Sequence, residues 1–228
     1  MNHFLLFNLF KHYLFMKKIN TLFSKFFFVL LLVATLSLFL NSSSYAQSTT
    51  SLGIKGGVNL ANFRGENVGD YDNRTAFNFG LVLNRSIAES SGISFELDYS
   101  SQGAKLDPVT TKLDYLRTTI LYNYYFGTSE MDIRPKLFAG PYAGFLLNAQ
   151  SKTGDGDYVD VDNVYNAVDF GVAFGVGLHL RLKEGIWLVP DVRYNLGLAD
   201  IAENNTFGNS SVRNGVLSVN IGITFPLN

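Results

Sequence analysis

At 228 residues, 47% of them hydrophobic and 16% charged, the chain is the size of one domain whose core is large enough to fold without covalent staples. It has no cysteine, which excludes a disulfide framework, a thiol nucleophile, a thiolate metal site and a lipid-modified N-terminal cysteine. All 19 acidic residues lie after position 46, whereas four of the 18 basic ones precede it; the remainder, 14 against 19, carries a net charge of −5 and no basic patch for nucleic acid.

The first 46 residues differ in kind from the rest. Met16-Lys17-Lys18 opens a basic stretch running to Lys25, followed by the uncharged apolar run Phe26 to Leu40 and then Asn41-Ser42-Ser43-Ser44-Tyr45-Ala46. These are the charged, apolar and polar regions of a secretory signal peptide, with small residues at the two positions a signal peptidase reads. A membrane anchor is the competing reading, but a run of 15 residues is short of the roughly 20 that span a bilayer as a helix. Cleavage behind Ala46 is expected, leaving Gln47 first. Residues 1–15 hold a second apolar stretch that lacks the charged flank, so translation is expected to begin at Met16.

From residue 47 onward no sustained helical period occurs, and what recurs is alternation. In Leu52-Gly53-Ile54-Lys55-Gly56-Gly57-Val58-Asn59-Leu60 one parity is apolar and the other holds Gly, Lys and Asn. The period of two returns in Phe77, Phe79, Leu81 and Leu83, and again in Ile93, Phe95, Leu97 and Tyr99 set against Ser94, Glu96, Asp98 and Ser100. Each reads as a strand with one apolar face. Five more follow, over about 113–126, 134–148, 164–182, 186–198 and 213–225. On the sixth, Val176 and Leu178 oppose Gly177 and His179; on the last, Val219 and Ile221 oppose Asn220 and Gly222. Eight strands suit a closed antiparallel barrel with both termini at one end.

Alternation alone does not say which face is inside. A soluble lipocalin-like barrel holding a small apolar ligand has the same period with its apolar face inward. Three features favour the inverted arrangement of a transmembrane barrel. Connections 63–75, 103–112, 149–163 and 199–212 are long and polar, and they alternate with the shorter 86–91, 127–133 and 183–185, as extracellular loops alternate with periplasmic turns. The polar face mixes glycines with Lys55, Glu96, Asp98, Arg117, Asp169, Arg181, Asp191 and Arg193, charges of both signs that can pair inside a narrow lumen where glycine makes room for them. Finally, Tyr122, Tyr124 and Phe126 before a short turn, and Tyr194 on the apolar parity, fit an interfacial girdle.

Over nearly the whole mature chain the residues resemble the PorT-like outer-membrane β-barrel family of Bacteroidota-type bacteria. The resemblance is carried by Gly53-Ile54-Lys55-Gly56-Gly57-Val58-Asn59-Leu60-Ala61-Asn62, by Phe95-Glu96-Leu97-Asp98-Tyr99-Ser100-Ser101-Gln102-Gly103-Ala104-Lys105, and by Ala139-Gly140-Pro141-Tyr142, Asp169-Phe170-Gly171 and Arg193-Tyr194-Asn195-Leu196-Gly197-Leu198. One departure is Tyr115-Leu116-Arg117-Thr118-Thr119, where the family often has Tyr-Leu-Glu-Ile-Pro. Arginine for glutamate there changes the interior charge pairing. The resemblance implies an outer-membrane barrel, with an accessory part in protein secretion for one class of members.

Candidate chemistry is sparse. His179, the one histidine after residue 46, points into the lumen beside Arg181 and reads as a packed interior group. No serine has a histidine partner at a recognisable spacing. Asp155, Asp157, Asp160 and Asp162 crowd one long loop, but without the twelve-residue spacing and closing glutamate of an EF-hand they read as solvated charge. Glu96, Asp98, Arg117, Asp191 and Arg193 could line a transport path, yet eight strands leave an interior just wide enough for side chains to fill. No catalytic, cofactor or metal site is expected. The expected partners are outer-membrane lipid and an envelope or extracellular protein met by the loops. Lumenal Asn220→Ser is expected to be tolerated.

Overall fold

The computed structural model describes residues 49–65, 71–203 and 211–227. The signal-peptide reading of residues 1–46, with its start at Met16, falls outside them. Alternating side chains need a backbone that presents successive residues to opposite environments, and each of the eight alternating segments forms a strand. They are β1 (Thr50–Arg64), β2 (Asp72–Ala88), β3 (Ser91–Leu106), β4 (Val109–Tyr125) and β5 (Ile133–Thr153), followed by the two-residue β6 (Val159–Asp160), then β7 (Val168–Lys183), β8 (Ile186–Gly197) and β9 (Arg213–Leu227). All pairings are antiparallel. Neighbours in sequence pair in turn, β5 pairs with β7, and β1 pairs with β9, so the eight long strands close into a ring. The short β6 only extends the outer end of β5.

Closure places Thr50 and Leu227 at the side of the tight turns 89–90, 126–132 and 184–185; Arg64, Asp72, Gly197 and Arg213 lie at the other end with the connections 107–108 and 154–167. Most strands run further than alternation suggests, although the expected strand 164–182 begins only at Val168. The expected long loop 103–112 is a tight turn at Asp107-Pro108, because Leu106 pairs with Val109 and the ladder continues down to Ser91 and Tyr124. Beyond the membrane both strand faces meet water or loops, so the side chains stop alternating while the backbone hydrogen bonds go on. For the same reason β5 reaches Thr153 and narrows the expected loop 149–163.

The faces are those of a membrane barrel. Ile54 and Ile221 are 60% and 56% exposed, whereas their strand neighbours Lys55 and Asn220 are 8% and 3% exposed. A lipocalin-like barrel reverses this, so the soluble alternative is corrected: the apolar parity is the outer one. On β1 the outward apolar residues run from Leu52 to Leu60, a height of roughly 20 Å for a tilted strand, close to the apolar band of an outer-membrane barrel. Tyr122, Tyr124 and Phe126 stand exposed at its turn end.

Candidate functional site

The lumen is filled in layers. At mid-height Arg193 on β8 forks between two carboxylates: its terminal nitrogens lie 2.6 and 3.2 Å from the Glu96 oxygens, and its Nε and second terminal nitrogen each lie 2.8 Å from an Asp191 oxygen. Lys55 on β1 donates to the same Glu96 and sits 4.0 Å from Asp98, which accepts from Arg117 Nε and a terminal nitrogen at 3.2 and 3.0 Å. Asn220 on β9 donates to Asp191 at 2.8 Å. These contacts link β9, β8, β1, β3 and β4, so the network crosses the lumen as well as following the wall. Burial favours this arrangement, since an ion removed from water without a partner costs several kcal/mol.

Amides and hydroxyls lie on either side. Toward the loop end Asn59 accepts from Asn78 and Ser218 at 2.8 and 2.7 Å and donates to Ser100 at 3.1 Å. Above them the Asp169 carboxylate accepts from Tyr142 at 3.3 Å and Asn214 at 2.9 Å. Toward the turn end Lys136 Nζ donates to Asn123, which donates to Ser94. The glycines of β7 make room for bulky partners on β5. The register sets Gly171 against Tyr142, Gly175 against Phe138 and Gly177 against Lys136. A Cβ at those glycines would come within 2.7 Å of the Tyr142 and Phe138 rings and 3.2 Å of the Lys136 stem.

Seven of the eight charges assigned to the lumen are buried there; Arg181 is the exception, half-buried at the turn-end rim, where it donates to the Ser129 carbonyl and lies over Trp187. His179 packs inside between the Tyr125 and Trp187 rings, with centroids 5.0 and 5.7 Å away. Sequence reading missed Lys136 because its strand face carries Phe138 and Tyr142, which hide the polar parity; the opposite parity, Leu137, Ala139 and Pro141, was the usable signal. The departure at Arg117 is met by Asp98 directly across the β3–β4 ladder.

The structure changes one expectation. Asn220 holds a buried carboxylate, so Asn220→Ser should cost about 1–3 kcal/mol in urea unfolding because a serine is too short to keep that bond. Gly177→Leu should be worse, failing to give the folded, gel-shifted species at all because the leucine collides with Asp191 and Lys136.

The loop end is capped by apolar packing rather than open. Phe63, Leu113, Tyr115 and Ala149 from the strands meet Tyr165, Ile201 and Val212 from the loops, all buried. The loops hold each other: Asn166 N donates to Ile201 O, Ile201 N to Val212 O, and the Asn166 amide to Ala202 O, each at 2.8 Å. Burial pushes the Tyr165 hydroxyl pKa upward, which keeps the ring neutral in the cap. Ile201→Ala should open this cap while sparing the barrel. Limited proteolysis should then cut within 154–167 or 198–212, with strand β-content by circular dichroism unchanged.

The acidic loop is used locally. Asp162 accepts from the Ala149 amide at 2.6 Å and Asp160 from Gln150 at 3.3 Å, while Asp155 and Asp157 are exposed. Among the described residues no three histidine, aspartate or glutamate side chains converge as a metal site.

Comparison with known proteins agrees with this architecture. No curated protein matches the sequence. Among solved structures, the barrel is similar to a major outer membrane protein from Thermus thermophilus, at 12% identity and a TM-score of 0.50 over 78% of this chain and 99% of that one. It is also similar to the E. coli outer membrane protein W, at 13% identity and 0.49 over 80% and 100%, and to Neisserial surface protein A, at 15% and 0.48 over 78% and 99%. At such identities the first likeness speaks for the fold alone. The outer membrane protein beta-barrel domain profile matches residues 45–203. With that match over most of its length, and with an apolar wall around a paired, polar lumen, the chain belongs to the outer membrane protein beta-barrel domain family.

Proposed function

We propose that the barrel is a plugged membrane anchor that acts through its loops on an envelope or extracellular protein partner, with no catalytic step of its own. The observation that carries this reading is the ion-pair network spanning the lumen from Arg193 to Glu96 and Lys55, beneath an apolar cap. A blocked lumen leaves the outer ends of the strands and their loops as the part that meets other molecules. The reading is tested with the detergent-solubilised barrel in two assays. Planar bilayers should show no steady conductance, and a pull-down should recover a partner that is lost when 154–167 and 198–212 are replaced by Gly-Ser linkers. Steady conductance, or the same recovery with the loops replaced, overturns it.

Export by the segment 1–46 belongs to the same proposal. N-terminal sequencing of the membrane-inserted protein should begin at Gln47, and a mass retaining residues 26–40 would mean an anchor instead.

The finer placement among PorT-like barrels is supported by position: in the resembling patterns Asp169, Gly171, Arg193 and Asn195 all stand on the lumenal parity, and Arg193 is a centre of the ion-pair network. The secretion role of one class of those proteins is the second reading. Deleting the gene and assaying for secreted proteins missing from the medium tests it.

A further inference from the structure

Beyond the lumen, the outer wall carries a charge arrangement that a barrel in plain hydrocarbon does not need. Arg64 and Arg213 stand directly opposite each other on the β1–β9 ladder. Both are exposed and share parity with the lipid-facing Leu60 and Leu217. Like charges placed directly across a ladder repel, and among the described residues neither arginine has a carboxylate partner. Arg64 is nevertheless held in place. Gly215 leaves a gap filled by its stem and by Tyr194: a Cβ at Gly215 would lie 2.7 Å from the Tyr194 hydroxyl, 2.8 Å from Arg64 Cδ and 2.9 Å from its Nε. The guanidinium sits 6.0 Å over the Tyr194 ring.

Height and surroundings point the same way. Arg64 lies four residues beyond Leu60, the last apolar residue of the β1 belt, which is roughly 10 Å along a tilted strand and so at headgroup level. Leu196 pairs with Gly215, which brings Leu198 in line with Arg213. Leu198 forms one side of a shallow apolar groove of about 440 Å³, with Val168, Phe170 and Ala199. Asp200 at its rim is engaged elsewhere, its carboxylate accepting from the Ala202 and Val212 amides at 3.1 and 3.0 Å.

We propose that Arg64 and Arg213 clamp the phosphate of a phosphorylated lipid in the leaflet at the loop end, with an acyl chain of that lipid in the adjoining groove. Two planar guanidinium forks suit a phosphate, and the bound anion relieves the repulsion between them. The continuous apolar belt below the pair favours a lipid over a soluble phosphate.

The test uses the whole barrel in phosphatidylcholine vesicles carrying trace spin-labelled phosphatidic acid or spin-labelled phosphatidylcholine. The wild type should enrich phosphatidic acid in its immobilised shell, and Arg64→Gln or Arg213→Gln should each reduce that enrichment about fivefold. One molar salt should reduce it in the wild type, a readout that needs no variant to fold. Unchanged enrichment in the R64Q/R213Q variant, or in the wild type at high salt, overturns the proposal. So does displacement of the label by inorganic phosphate at about 10 mM, which would make the pair a site for the free ion.

Discussion

Glu96→Ala should destabilise the barrel by about 3–5 kcal/mol, the largest effect expected of any lumenal truncation. The carboxylate serves Lys55 and Arg193 at once, and both cations are buried, so its loss leaves Lys55 with Asp98 alone at 4.0 Å and Arg193 with Asp191 alone. The size comes from the excess positive charge left buried, chiefly on Lys55, rather than from the bond itself. Adding Lys55→Met should therefore return part of the loss, and the double variant should cost less than the sum of the two singles. Trp187, the single tryptophan, lies inside near His179 and reports unfolding in urea. A cost below about 1 kcal/mol for Glu96→Ala would show that the lumen admits enough water to solvate the orphaned cations.

Ile221→Arg should cost about 2–4 kcal/mol in vesicle-reconstituted protein, through a different cause. Ile221 is more than half exposed on the lipid face and pairs with Gly56, midway along the belt from Leu52 to Leu60, so the arginine is held near the bilayer midplane. Leu178→Arg should cost less. The outward residues of β7 centre on Phe174 and Val176, which leaves Leu178 nearer the turn-end rim, where the charge can reach headgroups. Equal costs at the two positions would contradict the depth assignment. Cysteines placed at 176, 177, 178 and 179 give an independent check, with lipid-confined quenching expected at 176 and 178 and little at 177 and 179.

Strand number and the split of each strand into an apolar and a polar face were legible in the sequence because they rest on parity, which a strand converts directly into position; that the apolar face is the outer one was legible only from the alternating connection lengths, the charges of both signs on the polar face and the aromatic residues near a turn. Val219 and Ile221 against Asn220 and Gly222 needed no knowledge of neighbouring strands. Individual pairings were not legible. That Glu96 meets Arg193 depends on barrel diameter and on register between strands distant in sequence, and neither leaves a local trace. Strand ends failed for a related reason: Ser101 to Leu106 pair regularly with Val109 to Asp114, but both faces there meet polar or loop surroundings and nothing alternates. The apolar cap escaped notice because Ile201 and Val212 lie in loop segments where single apolar residues carry no periodicity, and because Tyr165 reads as the start of the strand expected over 164–182, which begins only at Val168.

The span of the Glu96–Arg193 contact constrains how the molecule can be made. Asp98 and Arg117 sit on adjacent strands and can meet within one hairpin, whereas Glu96 and Arg193 are 97 residues apart and touch only across the finished ring. A partly assembled sheet holding β1 to β4 would carry Glu96 with Lys55 alone, and one holding β7 and β8 would carry Arg193 with only Asp191. Each such intermediate leaves ionised groups on a face still open to its surroundings, and hydrocarbon will not accept them. Strand-by-strand entry into lipid is therefore uphill, and the favourable route keeps the lumenal face wet until β9 joins β1. In this sense the charges time assembly, penalising insertion before closure and rewarding the two together.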